Sequence, residues 1–247
     1  MITNGQVTHD QASPGPVTAD DLAAVLRLAL ATLRTAPADA DWSRPAGSVS
    51  WDCWSTVEHL ADDLLAYAAQ LGPAEVAADT APDTDDSADT AIKPPRDRYV
   101  PFVSVRPFPG GPNNFVFARR EDGPEGLLQV LAASGGLMVS IARTASPATR
   151  AFHPWGLADP AGFAAMSLVE TLVHLHDVAE GLGLVWRPPA DVCGRVLARL
   201  FPDVPLDPAA GPWPTLLWAT GRAELPGRPP RTGWRWYADV REPAAGE

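Results

Sequence analysis

The chain alternates between long stretches whose apolar residues recur every three or four positions and stretches crowded with proline, glycine and acidic residues. Leu22, Val25, Leu26, Ala29, Leu30 and Leu33 put a wide apolar face on a first helix, which Thr18 opens with Asp21 as a weak capping box and Pro37 stops. Ser55-Thr56-Val57-Glu58 has the full Ser-x-x-Glu form and predicts a second helix to about Leu71, closed by Gly72-Pro73, with Val57, Leu60, Leu64, Ala68 and Leu71 inward. A third is predicted from near Pro124 to about Thr144 on Leu127, Leu128, Leu131, Leu137, Met138 and Ile141. Gly135-Gly136 in its middle weaken it by about 1 kcal/mol each relative to alanine, which predicts a kink or a close helix contact there. A fourth runs from the N-cap Asp159 through Pro160 to the glycines at 181 and 183.

The fourth stretch is the one that forces chemically capable side chains inward. At about 100° per residue, Phe163, Ser167, Glu170, His174, Asp177 and Gly181 share one stripe, while Leu168, Leu172, Leu175, Ala179 and Leu182 make a wholly apolar second one. A helix apolar on one side and flanked by Phe163, Met166 and Val173 on the other shows neither side fully to water, so Glu170 and His174 face the interior. A buried Glu and His one turn apart need a partner: each other, a third polar group such as a carbonyl, or a metal ion toward which their i and i+4 side chains converge. On the second helix His59 and Asp63 are also four apart, but periodicity alone places them with Asp62 and Gln70 on a face that reads as solvated.

Between these helices, residues 1–17 read as a disordered lead and residues 74–98 as a flexible acidic excursion broken by prolines. Tyr99 to Val105 alternates like a short strand or extended crossing segment, and Pro107 to Asn114 is all turn chemistry. Past Trp186 come a helix capped by Asp191 through about Leu200, another over Pro214 to Gly221, and an alternating edge strand over Gly233 to Arg241. The expected fold is therefore mainly α: a four-helix bundle over residues 18–185 with a long crossing loop at about 74–123, and a small C-terminal helix/strand appendage over 186–247. The aromatic cluster Trp51, Cys53, Trp54 just before a capped helix reads as a plug for a bundle end, and Cys53 as a buried, inert thiol.

Composition narrows the class of partner. The chain of 247 residues is 46% hydrophobic, enough for a real core, and its formal charge of −11 leaves nothing to neutralise nucleic-acid phosphates or an anionic membrane. Two distant cysteines, Cys53 and Cys193, give neither a disulfide framework nor a zinc knuckle and suit a reducing, cytoplasmic setting. The N-terminus lacks a signal pattern, and the apolar run near Leu127 to Ala142 is interrupted by Gln129, Ser134 and two glycines. The glycine pairs lack the strand–turn–helix context of a phosphate loop. The expected partner is a small-molecule substrate, with the chain a monomer or homodimer.

Three segments resemble the DinB/YfiT-like superfamily and, within it, the mycothiol-dependent maleylpyruvate isomerase family of actinobacteria: the tryptophan-led helix Trp54 to Leu64, the Glu170-x3-His174-x2-Asp177 helix, and Leu216 to Arg222 followed by Trp234. The resemblance implies a four-helix bundle holding a divalent metal, zinc first, with manganese or nickel as alternatives. It implies ligands from the second helix and from Glu170 and His174, with Asp177 at the acidic position that follows. Aligned on Thr56-Val57, the second-helix ligand position holds Asp63 where the family has a histidine. Either Asp63 replaces it, or His59 reaches in from one turn before, or the metal is lost. Under the enzyme reading the metal at Asp63, Glu170 and His174 activates a thiol, by resemblance mycothiol, or a water, with His59 and His176 as proton carriers in a transferase or isomerase. A hydrolase needing no thiol would share the site. The rival is a non-catalytic ligand-binding or interaction bundle whose polar core has replaced the metal.

Overall fold

The computed structural model describes residues 15–72 and 100–241, which form six α-helices and one two-stranded hairpin. The disordered lead expected over residues 1–17 falls there only at 15–17, where Val17 is buried, and the acidic excursion at 74–98 lies outside the described residues.

Helix α1 (Ala19–Leu33) opens as its sequence predicts: the Thr18 hydroxyl accepts the Asp21 N–H at 3.1 Å and the Asp21 carboxylate accepts the Thr18 N–H at 2.9 Å. Helix α2 (Cys53–Leu71) starts earlier than its Ser-x-x-Glu pattern implied, because Asp52 caps it by accepting the Ser55 N–H at 2.6 Å. Glu58 is thereby free to leave the cap. After a 3-10 turn at Arg120–Asp122, helix α3 (Gly123–Thr144) continues unbroken past Gly135-Gly136. A Cβ at Gly135 would stand 2.8 Å from Leu26 Cδ1, so this glycine marks the close approach of α1 and α3. Residues 120–144 are apolar enough in length and composition to span a membrane; 39% of their apolar 18-residue window is buried, with Leu127, Leu131 and Met138 fully so and Leu137 exposed.

The hairpin, β1 (Ala151–His153) with β2 (Gly156–Ala158), pairs His153 with Gly156 in a stretch to which the sequence assigned no element. Helix α4 (Pro160–Leu182) follows and packs against α1, α2, α3 and α5 (Ala190–Leu200), so both of its predicted stripes are buried. Its end admits a neighbouring loop: a Cβ at Gly181 would overlap Cys53 Sγ and Pro45 O, and Gly183 caps the helix in the left-handed region at φ 69°. Helix α5 begins after Pro189, with Asp191 in its first turn bound to Arg195 and not at the cap, and α6 (Pro212–Ala219) packs on it.

Of the two alternating segments, the edge strand expected over 233–241 does not form among the described residues, and the other is a crossing segment and not a strand. Residues 233–241 run extended, but their backbone is taken up singly: the Tyr237 N–H donates to Leu200 O at the end of α5, and Arg199 donates to Ala238 O. The segment from residue 100 makes one isolated bridge, Val105 with Asn114. The chain from residue 100 to 118 instead lays backbone groups on α2, which corrects the reading of that helix's polar face. Asp62 accepts the Phe115 and Val116 N–H groups at 2.6 and 2.7 Å, Glu58 accepts the Ala118 N–H at 3.1 Å, and Gln70 exchanges hydrogen bonds with the Val100 backbone. That face is polar because it binds another backbone, not because it meets water.

Burial raises the Asp62 carboxyl to about 6, against the lowering pull of its two backbone donors. A carboxyl raised on folding destabilises the folded chain as pH rises from its unfolded value through the folded one. Between pH 4 and 6 the native protein should therefore lose on the order of 2 kcal/mol through this group, and Asp62→Asn should flatten that slope. Urea denaturation at pH 4, 5, 6 and 7 would read it. Equal slopes in both proteins would refute the assignment.

Candidate functional site

Where α2 meets α4, two histidine–carboxylate pairs face each other. On α2, His59 Nε2 lies 3.4 Å from Asp63 Oδ2; on α4, His174 Nε2 lies 3.1 Å from Glu170 Oε2. The two imidazoles approach edge to face with centroids 5.4 Å apart, and Trp51 touches both rings at 4.7 and 6.0 Å. Trp51 is itself held by its indole N–H donating to Gly110 O at 3.0 Å. One member of the tryptophan cluster expected to plug a bundle end thus closes over the histidines, while Trp54 donates to Glu58 at 2.7 Å and Cys53 is buried, its thiol pushed up to about 11 by burial and Asp52.

Each histidine is held from behind at Nδ1. His174 Nδ1 is 3.1 Å from Asp177 Oδ2, and His59 Nδ1 is 3.1 Å from Asn114 Oδ1. Asp177 is in turn gripped by Arg222, whose Nε donates to both carboxylate oxygens at 3.1 Å and whose Nη2 donates to Oδ2 at 2.8 Å. Arg222 follows α6 on a turn closed by its own N–H donating to Leu217 O. Sequence reasoning quoted Arg222 only as the end of a resembling segment. The signal that would have found it is Asp177 itself, an acid on a buried stripe that needs a cation.

The environment drives the two pairs toward opposite protonation states. On α4, burial would raise Glu170, but the hydrogen bond and charge of His174 hold it below its ordinary value. Burial would lower His174, yet hydrogen bonds to Asp177 and Glu170 raise it, and Asp177 is lowered by His174 and Arg222 against its own burial. On α2, burial, then Glu170 and Asp62, push Asp63 well above the carboxylate range, and burial together with the His174 charge lowers His59. The α4 half is an ion-pair chain and the α2 half a neutral pair. Groups held apart in this way suit general acid and base work.

The site continues into an aromatic wall that sequence reading missed. Tyr67, one turn beyond Asp63, is kept protonated by burial and by Asp63 and Glu170, and its ring lies 5.7 Å from His153. His153 accepts the Trp155 N–H at Nδ1, 3.1 Å away, so its proton sits on Nε2, and burial lowers it to about 4. Trp155 and Trp236 pack around it at 5.8 and 5.9 Å. The hairpin places it, and no periodicity in the sequence marked that turn as chemistry. His176 stands elsewhere. Two positions past His174, it turns to Glu180 at 3.4 Å and to Trp213 of α6 at 5.7 Å, so it does not join the other histidines as a proton carrier.

Two imidazoles tied off at Nδ1 and two carboxylates, all from facing helices, are a donor set whose chemistry suits a divalent cation, and the oxygen share admits manganese beside zinc. Among the described residues no three His, Cys, Asp or Glu side chains already converge on one point, because each Nε2 is turned to the carboxylate of its own helix.

A family model described as "mycothiol maleylpyruvate isomerase N-terminal domain" matches residues 23–179. The match takes in His59, Asp63, Glu170, His174 and Asp177 and stops before Arg222. No curated protein and no solved structure matches the chain.

Proposed function

Because the chain belongs to the mycothiol maleylpyruvate isomerase N-terminal domain family, we propose that it is a divalent-metal-dependent, thiol-dependent transferase or isomerase of cytoplasmic small molecules, with mycothiol as its thiol, on a DinB-like four-helix bundle. The observation that carries this is the meeting of His59 and Asp63 from α2 with Glu170 and His174 from α4, each imidazole fixed at Nδ1 by a buried partner.

Asp63, Glu170 and His174 would hold the ion, with His59 beside them, and the bound ion supplies a Lewis acid that makes a thiol or water nucleophilic at neutral pH. The chain's own groups do the rest. Arg222 and Asp177 keep the His174 ring in one orientation, so its Nε2 stays on the Glu170 side. Trp51 covers both histidines and limits water. His59, neutral and bare at one ring nitrogen, takes the proton that an incoming thiol or water gives up at Nε2. His153, neutral with its proton on Nε2, donates a hydrogen bond to a substrate oxygen and does not compete as a base. A second reading, a ligand-binding bundle without metal, is favoured by one observation: both Nε2 atoms already face carboxylates.

Elemental analysis of the purified full chain, without a polyhistidine tag, separates the two. Stoichiometric zinc, manganese or nickel in the native protein, lost in both Asp63→Ala and His174→Ala, is the expected result. Metal absent after growth with each ion would sink the proposal and leave the binding bundle, and metal retained by His174→Ala would sink it by placing the ion elsewhere.

A further inference from the structure

We propose that Asn114 is a positioning residue, whose side-chain carbonyl selects the Nδ1–H tautomer of His59 and so presents the bare Nε2 of that ring beside Asp63. The inference rests on reading His59 as part of the site. Asn114 ends a stretch that reads as turn chemistry alone, yet it is completely buried. Its backbone is pinned on every side: its N–H and C=O pair with Val105 at 3.0 and 2.8 Å, and the next two N–H groups go to Asp62. The Asn114 Cα therefore cannot drift, and neither can the point from which its amide reaches His59.

The amide is placed at some cost. With Oδ1 3.1 Å from His59 Nδ1, Nδ2 has no partner among the described residues. A buried donor left unpaired costs about 1–3 kcal/mol, and an apolar side chain would fill the same space without it. The one contact this position gains in return is the one to His59.

That contact decides where the proton sits. An amide oxygen accepts only, so Oδ1 facing Nδ1 requires the ring proton on Nδ1 and leaves a lone pair on Nε2. The reversed amide would donate through Nδ2 to Nδ1, force the proton onto Nε2, and aim an N–H at Asp63. With the observed orientation, a lone pair on Nε2 and an Asp63 carboxyl oxygen stand 3.4 Å apart across a gap that the carboxyl's own proton or a cation can fill. The Trp51 and His174 rings, edge-on at 4.7 and 5.4 Å, keep the imidazole from turning to exchange its nitrogens.

The test is 15N NMR of the ring nitrogens in the metal-free full chain at a pH where His59 is neutral, with His59 assigned among the five histidines by a His59→Gln spectrum. The native protein should show a protonated Nδ1 and a bare Nε2. Asn114→Asp, which also only accepts, should keep that tautomer, whereas Asn114→Leu should move the proton to Nε2. In a direct titration, Asn114→Leu should also bind zinc ion about 10–100-fold more weakly, the usual consequence of removing a ligand's outer partner. A native spectrum with the proton on Nε2, or an Asn114→Leu variant that keeps Nδ1–H, overturns the proposal. Should Asn114→Leu not fold, the native and Asn114→Asp spectra still decide it, since either one with Nε2–H overturns it. The tautomer is read without metal, so a protein that binds no zinc would refute the metal reading and leave this one standing.

Discussion

Arg222→Ala should lower the stability of the protein by about 3–5 kcal/mol at neutral pH, the range for a buried ion pair stripped of one partner. Asp177 is fully buried, and Arg222 supplies three of its hydrogen bonds, so the truncation leaves a carboxylate with the His174 Nδ1–H as its remaining donor. The loss should appear in urea denaturation as a lower midpoint with an unchanged slope, and in heating as about 2–4 °C per kcal/mol for a chain of this size. Arg222→Lys should recover only part of it, because one ammonium cannot give the paired donation of a guanidinium fork. A loss below about 1 kcal/mol would mean that the pair behaves as an exposed one and that the C-terminal segment is not coupled to the site. Since Arg222 lies beyond the stretch the family model matches, the experiment also asks whether the matched helices alone make a complete site.

His174→Ala should be comparably damaging in the metal-free protein, and more so than the double variant His174→Ala/Glu170→Leu. Removing the imidazole leaves Glu170 buried without its hydrogen-bonded cation, at about 3–5 kcal/mol, whereas removing both members of the pair deletes the uncompensated charge as well. The pH dependence gives the mechanism away. In the native chain Glu170 is lowered, so its contribution is present above its unfolded value and is lost as pH falls through the folded one. His174 is raised, so its contribution is present below its unfolded value and fades as pH rises through the folded one. In His174→Ala the Glu170 carboxyl loses what lowered it and burial raises it, so the sign for that group inverts and the variant should approach native stability on acidification. A double variant as unstable as the single one, or a deficit in His174→Ala that does not shrink between pH 7 and pH 4, would show that the cost is a packing cavity and not a stranded charge. Urea denaturation of the three proteins across that range measures it.

Four helices, their spacing and the inward stripe of α4 were legible in the residues themselves. Leu22 to Leu33, Val57 to Leu71, Leu127 to Ile141 and Phe163 to Gly181 repeat at the helical period, and that period is a local property of the chain. Glu170 and His174 were placed inward by the same argument, with Asp177 on their stripe, and the structure buries all three. Caps were legible only as candidates. The Ser55 box pointed to the right end of α2, but the cap itself is Asp52, three residues earlier, and Glu58 bonds Trp54 and Ala118 instead of closing the box.

What the tertiary structure alone decided is which polar groups meet across long sequence separations. His59, Asp62, Asp63 and Gln70 carry the same pattern as a solvated face. A segment 30 to 60 residues later lays its backbone on Asp62 and Gln70 and the Asn114 amide on His59, and neither a backbone N–H nor a single asparagine has a sequence signature that marks it as a partner. The same holds for Asn114, His153 and Arg222, each brought to the site by a turn, a hairpin or a helix end. Alternation over 233–241 likewise reported burial correctly, with Trp236 and Ala238 inside, but strand pairing depends on a neighbouring edge that only the fold can offer. Periodicity fixes which way a side chain points from its own element. What it points at is set by the packing of elements far apart in the chain, where the free energy of a buried charge is settled.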